Sequence, residues 1–223
     1  MDLNTIIKFL ADLRFNNNRS WFKENNGRYQ DAKAEFEQLI DTIIPLLKQV
    51  DDSIDIVSAK ECVFRLFRDV RFSNNKEPYK RNFGAYISRG GRKSPYAGYY
   101  IHIEPGKSFI GGGIYMPEAN ILRAIRKEIY ENTEEYKQII NNSSFKKYFP
   151  EIFGEKLKMA PKGFPKDFED IDLLRNKHYA AAYSVKDAFW SESELFENMM
   201  NIFLVQYPFN RFLNEAVAKY ISQ

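Results

Sequence analysis

The sequence predicts an α+β fold: one domain over residues 1–223, with a mostly antiparallel β-meander packed by N-terminal, middle and C-terminal helices. Apolar residues recur at helical spacing near both ends and after Pro117. From about Ile54 the pattern changes to short β-branched and aromatic runs separated by turn residues. No Gly/Ser linker, internal repeat or low-complexity tract divides the chain, so one domain with segregated helices and sheet is the economical arrangement. A chain of 223 residues, 44 % of them hydrophobic, buries roughly 70–75 % of its unfolded surface and needs neither disulfides nor metal to fold. Aromatic residues make up 16 % of the chain and should dominate its core.

Residues 2–14 carry Leu3, Ile6, Ile7, Leu10 and Leu13 on one helical stripe. Asn18 or Ser20 can cap a short second helix holding Trp21 and Phe22, which Asn26-Gly27 would end. A longer helix over Arg28–Gln49 turns Ala32, Phe36, Leu39, Ile40, Ile43 and Leu47 inward, and Pro45 should kink or close it. The runs CVFRLFRDVRF, FGAYIS, GYYIHI and SFIGGGIYM read as strands, with Gly90-Gly91 and Pro105-Gly106 in turns; EPGK is a hairpin signal. Gly111-Gly112-Gly113 inside a strand predicts a bulge, or else a close approach by another backbone or a ligand. Pro117 suits the first position of a helix through ANILRAIRKEIYE, and Thr133 can cap the next. A loop, MAPKGFPKDFE, leads to a short helix at IDLLRNK, a strand at HYAAAYSV and a terminal helix over 193–222, with Pro208 a candidate break.

The net charge of +3 is unevenly spread. Between Lys60 and Lys93 ten Lys and Arg face three acidic residues, a local charge of +7 that leaves the rest of the chain at −4. Its densest part is RLFRDVRFSNNKEPYKRN, Arg65 to Asn82. On a strand, Phe64, Leu66, Arg68, Val70 and Phe72 share one face, and Arg65, Phe67, Asp69 and Arg71 the other. Arg68 then stands in an apolar row and requires a carboxylate or an anionic ligand, because an unpaired buried cation is costly. Asp69 lies about 7 Å along the strand from Arg71 and about 13 Å from Arg65, near enough for long side chains to pair with it. An anion site follows: Arg65, Arg68 and Arg71 as forks for phosphate or carboxylate, Asp69 orienting them or acting as a base, and Lys76, Tyr79 and Lys80 presented by the Pro78 turn. The same residues fit a structural salt-bridged strand followed by a solvated loop.

Other chemistry is limited. His102 and His178 are too few for a three-histidine zinc site, and both suit structural roles at a strand. His102-Ile103-Glu104 lacks the PCxxC that completes a zinc deaminase signature. Gly106-Lys107-Ser108 has no glycine at Ile101 to make a P-loop, and no GxSxG elbow occurs. Cys62, the single cysteine, excludes a disulfide framework and reads as a buried small hydrophobe in a reducing, cytoplasmic protein. Asp167, Glu169, Asp170 and Asp172 could bind magnesium, but capping of the following helix explains them better. No metal site and no cofactor is indicated, and no apolar run approaches the roughly 20 residues that span a bilayer.

FLADLRFNNNRSWFKENNGRY, FRLFRDVRFSNNKEPYKRNFGAYI, GYYIHIEPGKSFIGGGIYMPEANILRAIRKEI and LKMAPKGFPKDFEDIDLLRNKHYAAAYSV cover most of the chain in order. Together they resemble the bacterial proteins grouped as domain of unknown function family 2461, with the RDxRFSxxKxPYK-like element most distinctive. The resemblance implies a single domain; it implies no activity and no catalytic residue. Two functions therefore stand: a protein, or an enzyme, for a phosphate-bearing or other anionic small molecule; and a non-enzymatic module that docks an acidic protein partner. A nucleic-acid partner fits less well, because the basic segment is short and the remainder is acidic.

Overall fold

Residues 3–221 are described in a computed structural model of the chain; Asp2 and Ser222, outer bounds of the predicted first and last helices, lie outside them. The fold is α+β. Four strands, Phe83–Ile87 (β1), Gly98–Ile103 (β2), Phe109–Ile114 (β3) and Tyr179–Ser184 (β4), form one antiparallel sheet in the order β1-β2-β3-β4. Helices α1 (Asn4–Phe15), α2 (Arg19–Glu24), α3 (Asn26–Lys48) and α4 (Ala59–Cys62) precede the sheet. Between β3 and β4 lie α5 (Ala119–Glu131), α6 (Thr133–Asn141), α7 (Ser143–Tyr148) and α8 (Ile171–Leu174), and α9 (Leu195–Ile221) follows. No helix among the described residues is long and apolar enough to cross a membrane.

The chain divides into two compact units. The first comprises Met1–Arg92, Tyr100–Ile110 and Ser184–Met200. In it α1 and α2 pack on α3, and Phe9, Phe22, Tyr29, Phe36 and Phe83 form a continuous aromatic core. Asn18 caps α2 as predicted, its side chain accepting from Trp21 N. Gly27 does not end that turn. It sits in the first turn of α3 with open space where a Cβ would be. Pro45 does not close α3, which runs on to Lys48.

The second unit comprises Lys93–Tyr99, Gly111–Tyr183 and Asn201–Gln223. Its core gathers Tyr136, Phe145, Phe209 and Phe212. Gly111–Gly113 make the close backbone approach that was the second choice after a bulge. A Cβ on Gly112 would stand 1.9 Å from Gly98 O, and one on Gly111 2.0 Å from Ala181 O, so only glycine lets these strands come together. From α9 a stripe of amides at four-residue spacing serves this region. Gln206 accepts from Gly112 N at 2.7 Å and Gly113 N at 3.2 Å and donates to Gly111 O. Asn210 donates to Gly98 O at 3.0 Å, and Asn214 accepts from Ala97 N at 2.7 Å. Pro208 lies inside α9 without ending it.

Three smaller expectations change. Pro117 precedes α5 by two residues instead of opening it. Thr133 follows the N-cap Asn132, and its hydroxyl donates to Ile129 O of the preceding helix. Of the acidic residues at the start of α8, Asp170 is the N-cap but makes no side-chain cap hydrogen bond and pairs with Lys137 at 3.2 Å, and Asp172 stands in the first turn, paired with Lys156.

Candidate functional site

The basic run lies wholly in the first unit, and its backbone is not the regular strand predicted. Cys62 belongs to α4, whose start is held by the Glu61 carboxylate accepting from Val57 N and Ser58 N. Beyond it the chain is extended but pairs only through isolated bridges, Val63 to Ala85 and Phe67 to Tyr79. Arg68 N donates to Pro78 O at 2.9 Å and Lys80 N to Leu66 O at 2.8 Å. Pro78 has no N–H to return, which stops the ladder there. Alternation nevertheless holds: Phe64, Leu66, Arg68 and Val70 are less exposed than Arg65, Phe67, Asp69 and Arg71. Phe72 departs from it and is 95 % exposed.

The second half of the run is anchored by a residue far away in sequence. Asn17 accepts from Tyr79 N at 3.2 Å and donates to Tyr79 O at 3.1 Å, an amide reading both backbone groups of one residue. The Tyr79 ring is thereby stacked on Phe22 with centroids 3.9 Å apart. Alternation then sends the next side chain the other way, and Lys80 Nζ comes over the Phe64 ring, 5.4 Å from its centroid.

Arg68, the cation in the apolar row, has no carboxylate ion-pair partner among the described residues. It donates to Glu77 O at 3.3 Å and to Ser73 Oγ at 3.2 Å. The Glu77 carboxylate is held by Arg81, whose Nε donates to it at 3.1 Å; this, more than Asn75 or Arg68, keeps its pKa below the usual range. Arg68, Asn75, Glu77, Tyr79, Lys80, Arg81 and Asn82 line a shallow, open depression of about 340 Å³. Lys80 is half-buried there; burial, followed by the charge of Arg65, lowers its pKa. The remaining candidates do not line the depression. Asp69 is paired with Arg71 at 2.7 Å, Lys76 donates to Val70 O, and Arg65 is exposed. A cavity of about 370 Å³ in the second unit has Glu135 and Arg211 as its only charged lining residues.

A polar network adjoins the depression. Asn82 Nδ2 lies 3.3 Å and the Tyr100 hydroxyl 3.2 Å from His102 Nδ1, and His102 Nε2 lies 3.0 Å from Glu104 Oε2. With Asn82 donating, Nδ1 accepts, and the ring proton sits on Nε2 and points at Glu104. Phe109 stacks on the imidazole at 4.5 Å. Burial, which outweighs the pull of Glu104 and is aided by the charge of Lys80, holds His102 below its ordinary pKa. Tyr100 is pushed up to about 12 by burial and by Glu104. Gly84 makes room for that hydroxyl, since a Cβ there would meet it at 2.6 Å.

A family model described as "Conserved hypothetical protein (DUF2461)" matches residues 5–212. The chain belongs to this family. Its function is unknown, and the match spans the basic run, the histidine network and the glycine strand alike. No curated protein and no solved structure matches the chain.

Within this family member the residues that sequence reasoning missed are Asn17, Arg81, Asn82, Tyr100 and Glu104. Arg81 and Asn82 were inside the quoted run but carried no motif. Asn17 and Tyr79 are 62 positions apart, and no periodicity links them. The other candidates are structural. His178 Nδ1 accepts from Met116 N at 3.0 Å, and Cys62 is buried with its thiol pushed up to about 12 by burial and Glu61. Among the described residues no group of three or more His, Cys, Asp or Glu could hold a metal ion.

Proposed function

We propose that this protein binds a small phosphate- or carboxylate-bearing ligand in the depression lined by Arg68, Lys80, Arg81 and Asn82. One observation carries the reading: two cations, Arg68 and Lys80, line the depression, and neither has a carboxylate partner among the described residues. Arg68 uses two of its five N–H donors on neutral oxygens, which leaves part of its fork for an anion. Lys80 adds a point charge, and Asn82 an amide that already polarises His102. Of the other candidates, Tyr79 lines the depression, held through its backbone by Asn17, and Arg65, Asp69, Arg71 and Lys76 do not line it. Calorimetric titration of phosphorylated metabolites, 2-oxo acids and short oligonucleotides at low salt tests this. Arg68→Ala should weaken anion binding at least about tenfold, the loss of a charge-assisted pair. Binding unaffected by that substitution ends the proposal.

A second reading, docking of an acidic protein partner, is favoured by Phe72, which is 95 % exposed beside the Arg71 guanidinium, 5.9 Å from its ring centroid. It predicts a stoichiometric complex that Phe72→Ser abolishes and small anions leave intact. We also infer a single domain, supported by a family match that runs through both units, and a cytoplasmic setting, supported by the lone buried thiol.

A further inference from the structure

We propose that Lys80 is a nucleophilic amine that condenses with the carbonyl carbon of an aldehyde or ketone bearing a phosphate or carboxylate. The inference rests on the anion site proposed above and names its substrate class. Some lysines of this chain are paired with carboxylates: Lys137 with Glu134 and Asp170, Lys156 with Asp172, Lys219 with Glu128. Lys80 is not. It is half-buried, its ammonium lies over the Phe64 ring, and it makes no hydrogen bond or ion pair to a carboxylate. The charges nearest in chemistry are of its own sign. Arg65 opposes its protonation, Arg68 and Arg81 line the same depression, and the one carboxylate there, Glu77, is already bound by Arg81.

A half-buried lysine that shares its depression with other cations gives up its proton more readily than a solvated or carboxylate-paired one. Arg68 would take the anionic group of the substrate, which brings the carbonyl to Nζ. The ammonium loses a proton to water, and the Nζ lone pair forms the N–C bond. The carbonyl π pair moves to oxygen, which solvent protonates. One N–H proton passes through solvent to the hydroxyl, the freed nitrogen lone pair closes the C=N bond as the C–O bond breaks, water leaves, and a protonated imine remains; nothing is oxidised or reduced.

The test uses the full chain and two probes, pyridoxal 5′-phosphate and pyridoxal, each trapped with borohydride and mapped by peptide mass spectrometry. The expected result is an adduct concentrated at Lys80, about tenfold above the median lysine, with the phosphorylated probe alone. Arg65→Met, at an exposed position, should lower that preference, and Lys80→Arg should abolish the adduct; binding of inorganic phosphate to the unaltered chain is measured by calorimetry. Labelling that follows exposure, with Lys80 at or below the median, overturns the reactive amine even where phosphate still binds. Equal capture of both probes at Lys80, without phosphate binding, overturns the substrate class and the anion site beneath it.

Discussion

Asp69 and Arg71 meet at 2.7 Å with side chains that remain 45 % and 77 % exposed, whereas Gln206 and Asn210 are fully buried and bond to backbone groups of the glycine strand and its neighbour. Both regions are rich in polar side chains, and their energetic weights are opposite. An exposed ion pair exchanges one well-solvated state for another and contributes little. A buried amide satisfies groups that would otherwise be stranded, so its loss leaves each one without a partner. The basic run is therefore free to change its partners, and the amide stripe is not. A site that must admit and release a ligand belongs in the first kind of region.

The largest way to sharpen this contrast is Gly112→Ala. The added Cβ would fall 1.9 Å from Gly98 O and 2.5 Å from the Gln206 amide, so the strands must part. A loss of about 3 kcal/mol, a fall in Tm of roughly 6–12 °C, is expected in thermal unfolding. A change within the error of the measurement would mean that the strand tolerates separation and that the close approach is not what holds it.

A smaller effect concerns His102. Its folded pKa lies below the unfolded value, about 6.5, so the unfolded chain takes up a proton first. Its contribution to stability is complete above pH 6.5 and is lost as pH falls through the lowered folded value. Burial lowers that value, Glu104 pulls it back up, and the charge of Lys80 pushes it down. Denaturant midpoints at pH 7.5 and 5.0 should show wild type losing more stability on acidification than His102→Gln. An equal loss would place the titration outside His102.

The smallest effect is expected at Asp69→Asn, which removes the exposed pair with Arg71. No measurable shift in Tm should follow, and calorimetry should find anion affinity retained, because Asp69 does not line the depression. A large fall in either would show that the surface pairs hold the basic run in place and would break the distinction between the two regions.

Much of the fold was legible. FGAYI, GYYIHI, FIGGGI and YAAAYS became strands because their β-branched and aromatic residues suit a pleated, half-buried surface. The failures share a cause. CVFRLFRDVRF has the same composition, yet Glu61 draws its first residues into a helical turn and Pro78 opposite offers no donor to extend a ladder. Pro45 and Pro208 stayed inside helices because packing of α3 and α9 outweighs one missing hydrogen bond each.

The sequence by itself determined the class of the fold, its family, the local excess of positive charge and the division of that charge by strand alternation. These depend on composition and on neighbours two to four positions apart, which a chain carries whether folded or not. That Arg68 and Lys80 line one depression without a carboxylate partner among the described residues, and that the histidine beside them is pinned between Asn82 and Glu104, were decided only by tertiary structure. Pairing of charges is a matter of distance in space. Glu77 could equally have served Arg68; the folded backbone gave its carboxylate to Arg81, and so left the depression with cations that a ligand can answer.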